Sequence, residues 1–438
     1  MVAHRLTVIG TGYLGTTHAA AMAELGFEVL GLDIDEDRIA RLAAGDLPFY
    51  EPGLPELLRR NLAAGRLRFT TSYAELAEFG DVHFLCVGTP QRQGENAADV
   101  SFVDSAIRSL VPLLRREALI VGKSTVPVGT AARVAGLIGE LTSENVELAW
   151  NPEFLREGFA VQDTLHPDRI VAGVPSAAAE KILREVYAAQ IGEGVPFLTT
   201  DYPTAELVKV SANAFLATKI SFINAMAEVC EATGADVTKL SQALSYDDRI
   251  GGKFLGPGLG FGGGCLPKDI RAFMARAGEL GVDQALSFLR EVDAINIRRR
   301  HRMVDLARDL LGGSFDGRGV AVLGAAFKPD SDDVRDSPAL DVAAAIQQQG
   351  GVVTVYDPQA NANAARAQPS LSFAASTAEA ARGADVTLLL TEWREFRDLD
   401  PEALGTLVAV RNIVDGRNAL DPERWRAAGW TYKALGRP

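Results

Sequence analysis

The sequence predicts an α/β protein: two doubly wound parallel sheets joined by one long central helix. A strand, a glycine turn, a helix and a second strand open the chain. The same βα rhythm restarts after Gly317, and between the two blocks a helical pattern runs unbroken over residues 201–231. At ~150 residues per domain, a chain of 438 residues should hold two or three domains. The boundaries are expected at 1–200, a dinucleotide-binding domain; 201–300, a helical linker and dimerisation region; and 301–438, a second domain of the same plan.

Taken in order, residues 6–9 are a short apolar run that meets Gly10-Thr11-Gly12-Tyr13-Leu14-Gly15. A helical stretch over 16–25 stops at Gly26, and a strand over 28–32 ends at Asp33. In such a turn Gly10 permits the tight bend and Gly12 lets the backbone approach a pyrophosphate. Gly15 lets the helix pack on the sheet, and the helix N-terminus favours the anion. Asp33 stands where a carboxylate can hold the ribose hydroxyls of NAD. Glycines, flanking strands and acid together predict a Rossmann-like NAD domain.

Further strands are expected at 82–87, 118–123 and 146–149, ending in Gly88-Thr89-Pro90, Ser124-Thr125-Val126-Pro127 and Asn151-Pro152-Glu153. In a parallel sheet those ends converge on one crevice, where ligands bind. The helix over 201–231 tolerates Pro203 in its first turn and would reach ~45 Å, a spine between domains. It carries Leu207, Val210, Phe215, Ile220, Phe222 and Ile223 around more than one face, which predicts a homodimer. The second block reads as strands at 320–323, 352–356 (ending at Asp357), 385–390 and 409–414, with a helix at 338–349. Its first turn, Gly324-Ala325-Ala326-Phe327-Lys328, lacks the glycine fingerprint, so this Rossmann-like domain should hold something other than NAD.

Composition narrows the function. A net charge of −13 argues against nucleic-acid or anionic-membrane partners, while a few focused cations can still hold a phosphate group. The run Arg298-Arg299-Arg300-His301-Arg302 is read as a solvated or interfacial helix face, and His18, His83 and His301 as incidental. Three cysteines make no disulfide framework or zinc clip, and five scattered histidines no metal cluster; no metal is expected. No charged segment followed by an apolar one opens the chain and no apolar run approaches ~18 residues, so a cytoplasmic location is expected.

The chemistry concentrates in two segments. Gly256-Pro257-Gly258-Leu259-Gly260-Phe261-Gly262-Gly263-Gly264-Cys265-Leu266-Pro267-Lys268-Asp269 sets six glycines beside one cysteine, a loop whose backbone can wrap a ligand. Cys265 opens a helix expected over 267–277. The positive helix end and Lys268 favour its thiolate, the environment of a nucleophile. Cys86, in a strand, and Cys230, in the long helix, read instead as small buried apolar residues. On the long helix, Lys209 and Asn213 share a face at i, i+4 and could stabilise an oxyanion, although such a pair alone is more often a solvated face.

These segments, with Asn151-Pro152-Glu153-Phe154-Leu155-Arg156-Glu157-Gly158, Gly88-Thr89-Pro90 and the 213–224 run, resemble the UDP-glucose/GDP-mannose dehydrogenases in order and over the whole chain. Residues 212–224 and Asp247-Asp248-Arg249-Ile250-Gly251 resemble the UDP-glucose branch. Gly264 replaces a common Ser, and Leu266 replaces a common Phe in a GDP-mannose-type spelling.

The resemblance implies a four-electron oxidation of a nucleotide-sugar C6 alcohol to a uronate, using NAD, with UDP-glucose or dTDP-glucose as substrate. The alternatives are GDP-mannose, or a two-electron hydroxy-acid oxidation that needs no cysteine. It further implies Cys265 as nucleophile, Lys209 and Asn213 at the oxyanion, and Asp269, Glu153 and Thr125 in proton or water handling. The implied substrate contacts are Glu153, Phe154, Leu155, Glu157, Lys209, Asn213, Phe254, Leu255, Gly262, Lys328, Arg417 and, from a neighbouring subunit, Arg249. On the NAD side it implies Tyr13, Leu14, Asp33, Arg38, Thr89, Thr125, Lys268 and Arg335 beside the glycines.

Overall fold

A computed structural model describes residues 4–438. Its first sheet is built from β1 (Arg5–Ile9), β2 (Glu28–Leu32), β3 (Leu67–Thr70), β4 (Val82–Leu85), β5 (Ala118–Gly122), β6 (Val146–Trp150), β7 (Ile170–Gly173) and β8 (Phe197–Thr200). They lie in the order β3-β2-β1-β4-β5-β6-β7-β8. Every neighbouring pair is parallel except β6 with β7, which meet antiparallel at Trp150 and Gly173. The second sheet holds β9 (Gly319–Leu323), β10 (Val352–Tyr356), β11 (Ser372–Phe373), β12 (Val386–Leu389), β13 (Asn412–Asp415) and β14 (Thr431–Ala434), all parallel, in the order β11-β10-β9-β12-β13-β14.

Helices cover both faces of such sheets, so the central strands read as continuous apolar runs. Leu6, Val8 and Ile9 of β1, all of β4, and Val320–Leu323 of β9 are buried. The strand order turns back beside the first strand of each sheet, between β1 and β4 and between β9 and β12. In doubly wound sheets ligands bind at such switch points, beyond the carboxyl ends of the strands.

Each first turn is held by the acid that ends the second strand. In the first sheet, Asp33 Oδ2 accepts the Thr11 N–H at 2.8 Å. In the second, Asp357 Oδ2 accepts the N–H groups of Ala325 and Ala326 at 2.8 and 2.9 Å. The two blocks share this device although one lacks the glycine fingerprint.

The long helix spans Tyr202–Thr233, with Pro203 in its first turn. The chain divides into two compact units. One ends at Ala212 and takes in Arg271–Gly281; the other holds Asn213–Ile270 and Val282–Pro438. Among the described residues, no helix is long and apolar enough to cross a membrane.

Two sequence expectations need correction. Val210 and Ile223 belong to the core, whereas Leu207, Phe215 and Phe222 are exposed, joined by Val229. In the second unit Phe215, Phe222 and Val229 recur every seven residues and so share one helix face. The arginine run is a solvated face only in part, at Arg298 and His301. Arg299 and Arg300 are buried, Arg299 and Arg302 pair with Glu231 at 2.8 and 2.7 Å, and Arg300 pairs with Asp336 and Asp341. Burial of a guanidinium requires such partners.

Candidate active site

In the first unit, Gly10 takes φ +89° and donates its N–H to Leu32 O at 2.8 Å. A Cβ on Gly15 would lie 1.8 Å from Gly10 O, while one on Gly12 would meet nothing within 4 Å. The turn is closed against its own helix and open on the side where an anion would sit. Gly12 precedes the helix Tyr13–Glu24 without a side-chain cap, so its first-turn N–H groups still need an acceptor. These features fit the pyrophosphate of a dinucleotide.

Asp33 Oδ2 also accepts from Thr11 Oγ1 at 3.2 Å and Arg38 Nη1 at 2.9 Å. Burial opposes its charge, but the Arg38 bond and the N–H groups outweigh burial and hold the carboxyl below its usual range. It is therefore ionised at neutral pH. Tyr13 and Leu14 are half-buried beside the turn. Thr89 Oγ1 donates to Thr125 O at 2.7 Å, tying together the loops beyond β4 and β5.

Beyond β6, Glu153 Oε1 pairs with Lys209 Nζ at 2.9 Å and Glu153 Oε2 accepts the Leu155 N–H at 2.8 Å. The Phe154 ring lies 5.7 Å from Lys209 Nζ and 3.9 Å from the Arg169 guanidinium carbon. Lys209, buried, thus has a carboxylate and an aromatic face beside it. Glu157 is half-buried.

In the second unit Cys265 is exposed, whereas Cys86 and Cys230 are buried. Burial pushes the Cys86 thiol up to about 12 and raises Cys230, so both stay protonated. Cys265 immediately precedes the helix Leu266–Glu279, and its carbonyl accepts the Asp269 N–H at 3.0 Å. Asp269 is buried. Its Oδ2 accepts from Asn213 Nδ2 at 2.7 Å and its Oδ1 from Lys268 Nζ at 2.6 Å. Lys268 is thereby engaged by the neighbouring carboxylate.

The glycines before Cys265 answer mainly to the protein itself. A Cβ on Gly260 would lie 2.2 Å from Asn296 Oδ1, and one on Gly262 2.3 Å from Asp336 O. Asn296 holds Phe261 at both ends: its Oδ1 accepts the Phe261 N–H at 2.8 Å and its Nδ2 donates to Phe261 O at 2.9 Å. Arg417 donates to the carbonyls of Leu390, Gly260 and Phe327 at 2.7, 2.9 and 3.1 Å, so much of its guanidinium is spent on holding loops. Phe254 takes φ +64°, beside buried Leu255. Lys328 Nζ lies 5.5 Å from the Phe327 ring. Arg335 pairs with Asp333, and Arg249 is exposed and pairs with Asp247.

Sequence reasoning had no signal for Asn296, nor for Lys123 and Glu51, whose contacts are described below.

Models of the UDP-glucose/GDP-mannose dehydrogenase family match the chain in three parts: the NAD binding domain over residues 4–191, the central domain over 203–298 and the UDP binding domain over 321–422. The chain belongs to this family. Residues 4–191 are accordingly its NAD binding domain, and the protein is an NAD-dependent dehydrogenase. It is similar to the UDP-glucose 6-dehydrogenase of Rhizobium meliloti, 40% identical over 99% of this chain and 100% of that one. It is also similar to that of Pseudomonas aeruginosa, 41% identical over 99% and 98%. A UDP-glucose dehydrogenase structure from Pyrobaculum islandicum superposes with TM-score 0.91 at 36% identity, covering 99% of this chain and 98% of that one.

Proposed function

We propose that this dehydrogenase oxidises C6 of UDP-glucose, with dTDP-glucose as a close analogue, to the uronate, consuming two NAD⁺ and one water per sugar. The observation that carries this reading is the exposed Cys265 at a helix N-terminus beside the Asn213–Asp269–Lys268 cluster. A two-electron hydroxy-acid oxidation has no use for that thiol. The names of the relatives support the uracil nucleotide over GDP-mannose.

The turn 10–15 with Asp33, Arg38, Thr89, Thr125, Lys268 and Arg335 would hold NAD, which would supply the hydride acceptor for both oxidations at C6. Cys265 adds its sulfur to the intermediate aldehyde as a thiohemiacetal, whose oxidation leaves a thioester. Water cleaves the thioester, giving carboxylate and returning the thiol. Lys209 and Asn213 stabilise negative charge on the C6 oxygen. Asp269, Glu153 and Thr125 orient water and carry protons. Phe154, Leu155, Glu157, Phe254, Leu255, Gly262 and Lys328 hold the sugar nucleotide, and Arg417 positions the loops around it.

We further infer a homodimer formed through the Phe215–Phe222–Val229 face, with Arg249 serving the partner's substrate. The domains are divided at residues 200 and 300. A thiol that must stay reduced suits the cytoplasm. A panel of UDP-glucose, dTDP-glucose and GDP-mannose followed by NADH absorbance tests the substrate. Highest kcat/KM with UDP-glucose is expected, and preference for GDP-mannose would replace this reading by its alternative.

A further inference from the structure

Glu51 is a carboxylate buried to 1% exposure that the reaction does not use. It precedes the helix Leu54–Ala63 by way of Pro52 and Gly53, 38 residues from Tyr13 and 107 from Gly158. Yet it joins two parts of that site. Its Oε2 accepts from the Tyr13 hydroxyl and from the Gly158 N–H at 2.6 Å, and its Oε1 accepts the Ala160 N–H at 2.7 Å. The Gly158 N–H also lies 3.2 Å from the Tyr13 hydroxyl. Tyr13 is the first residue of the helix behind the pyrophosphate turn. Gly158 and Ala160 close the strap that starts at Glu153 and carries Phe154, Leu155 and Glu157.

The chemistry of this junction is one-directional. Burial and the bond to Glu51 both raise the Tyr13 phenol above its usual range, so it stays protonated and acts as donor. Carboxylate oxygens without a proton can only accept, and the Tyr13 hydroxyl and the N–H groups of Gly158 and Ala160 all donate to them. Gly158 takes φ +79°, so the strap bends back at this point and depends on an external acceptor for its N–H groups. Elsewhere the strap is held by Asp163, which accepts from Arg156 N at 2.8 Å and from its side chain at 2.9 and 2.7 Å, and by Glu153 through the Leu155 N–H. Of these three carboxylates, Glu51 is the one bonded to the cofactor turn.

We propose that Glu51 is a positioning residue that transmits seating of the dinucleotide on the turn 10–15 to the strap 153–160. Fixing the turn fixes the backbone of Tyr13. Its hydroxyl then holds the Glu51 carboxylate in the orientation that receives the N–H groups of Gly158 and Ala160. Through the function proposed above, on which this second half rests, the ordered strap binds the sugar nucleotide more tightly once the cofactor is in place. The coupling is reciprocal: whatever the dinucleotide does for the strap, strap ligands do for the dinucleotide.

Hydrogen exchange on the full-length protein tests this without turnover. NADH at saturation, set from a fluorescence Kd measured for each variant, should slow exchange across residues 153–160 by about fivefold or more in the wild type. Tyr13→Phe should lose that response while NADH is bound. Glu51→Gln, which puts an amide N–H where only acceptors fit, should exchange fast at Gly158 and Ala160 with or without NADH. It should raise the KM for UDP-glucose about tenfold with less change in kcat. A strap indifferent to NADH in the wild type, or an undiminished response in Tyr13→Phe, overturns the proposal. Should the wild type fail to oxidise UDP-glucose, the substrate reading falls, and the exchange measurement still decides the role of Glu51.

Discussion

Replacing Lys123 by Met should stabilise the N-terminal unit at neutral pH and lose that advantage in alkali. Lys123 follows β5 directly and is buried. Its Nζ donates to Asn151 Oδ1 at 2.9 Å and lies 3.3 Å from the Tyr187 hydroxyl. Two aromatic rings, Phe84 and Tyr187, stand 6.0 and 5.9 Å away. Burial lowers this ammonium from 10.5 to about 8, against the opposing pull of Glu153. A shift of that size corresponds to a cost of ~3 kcal/mol for keeping the group charged in the folded state.

The cost is fully present below pH 8, where both states carry the proton. Between pH 8 and 10.5 the folded state has released it and the unfolded state has not, so stability rises with pH over that window and levels off above it. Met is close in length and carries no charge. Its loss of the bond to Asn151 costs ~1 kcal/mol, limited because the Tyr187 hydroxyl still donates to Asn151 Oδ1 at 2.6 Å. The balance is a gain of ~2 kcal/mol at pH 6.5, roughly 4–8 °C in Tm for a unit of this size. Thermal unfolding of both proteins at pH 6.5 and pH 10.5 measures it. A variant less stable than wild type at pH 6.5, by the same margin as at pH 10.5, would refute the reasoning.

Other perturbations follow from the site. NADP should be used at least ~100-fold less efficiently than NAD, because ionised Asp33 would face the 2′-phosphate at a cost of several kcal/mol; comparable kcat/KM for the two would remove Asp33 from the ribose. Arg417→Lys should lower Tm and raise the sugar-nucleotide KM, since an ammonium cannot serve the three carbonyls of Leu390, Gly260 and Phe327 together; unchanged unfolding would show that these bonds carry no weight. Light scattering at micromolar concentration should give a dimer, and Phe222→Asp a monomer. A monomeric wild type would end both the dimer and the role of Arg249 in trans.

What could be read from the chain depended on whether the cause was local. Strands β1, β2 and β10 were legible because each is an apolar run that stops at a glycine or an aspartate, and the long helix because its pattern meets no breaker. Strands β3, β7, β8, β11 and β14 were not. Each is two to four residues long and is a strand by virtue of the neighbour it pairs with. Cys265 stood out by residue type and setting, Lys209 and Asn213 offered only a shared helix face, and Asp269 entered through the family resemblance. Glu51 did not stand out, since its partner Gly158 lies 107 residues away, and neither did Asn296, whose partners are main-chain atoms. The arginine run misled for the same reason: Arg299 is neutralised by Glu231, 68 residues away, and a run of charge by itself reads as surface.

The account centres on a four-electron oxidation that passes through the Cys265 thiol, and the count of NADH formed per sugar nucleotide consumed tests it most directly. Wild type with limiting UDP-glucose should yield two NADH and one uronate for each sugar. Cys265→Ala should form no uronate while still binding NADH and UDP-glucose, because the second oxidation needs a carbon that again carries both hydride and oxyanion. Losing a nucleophile that acts as a unit with its neighbours removes several orders of magnitude in rate. Two NADH per sugar from Cys265→Ala at near wild-type rate would make Cys265 a packing residue and contradict the mechanism.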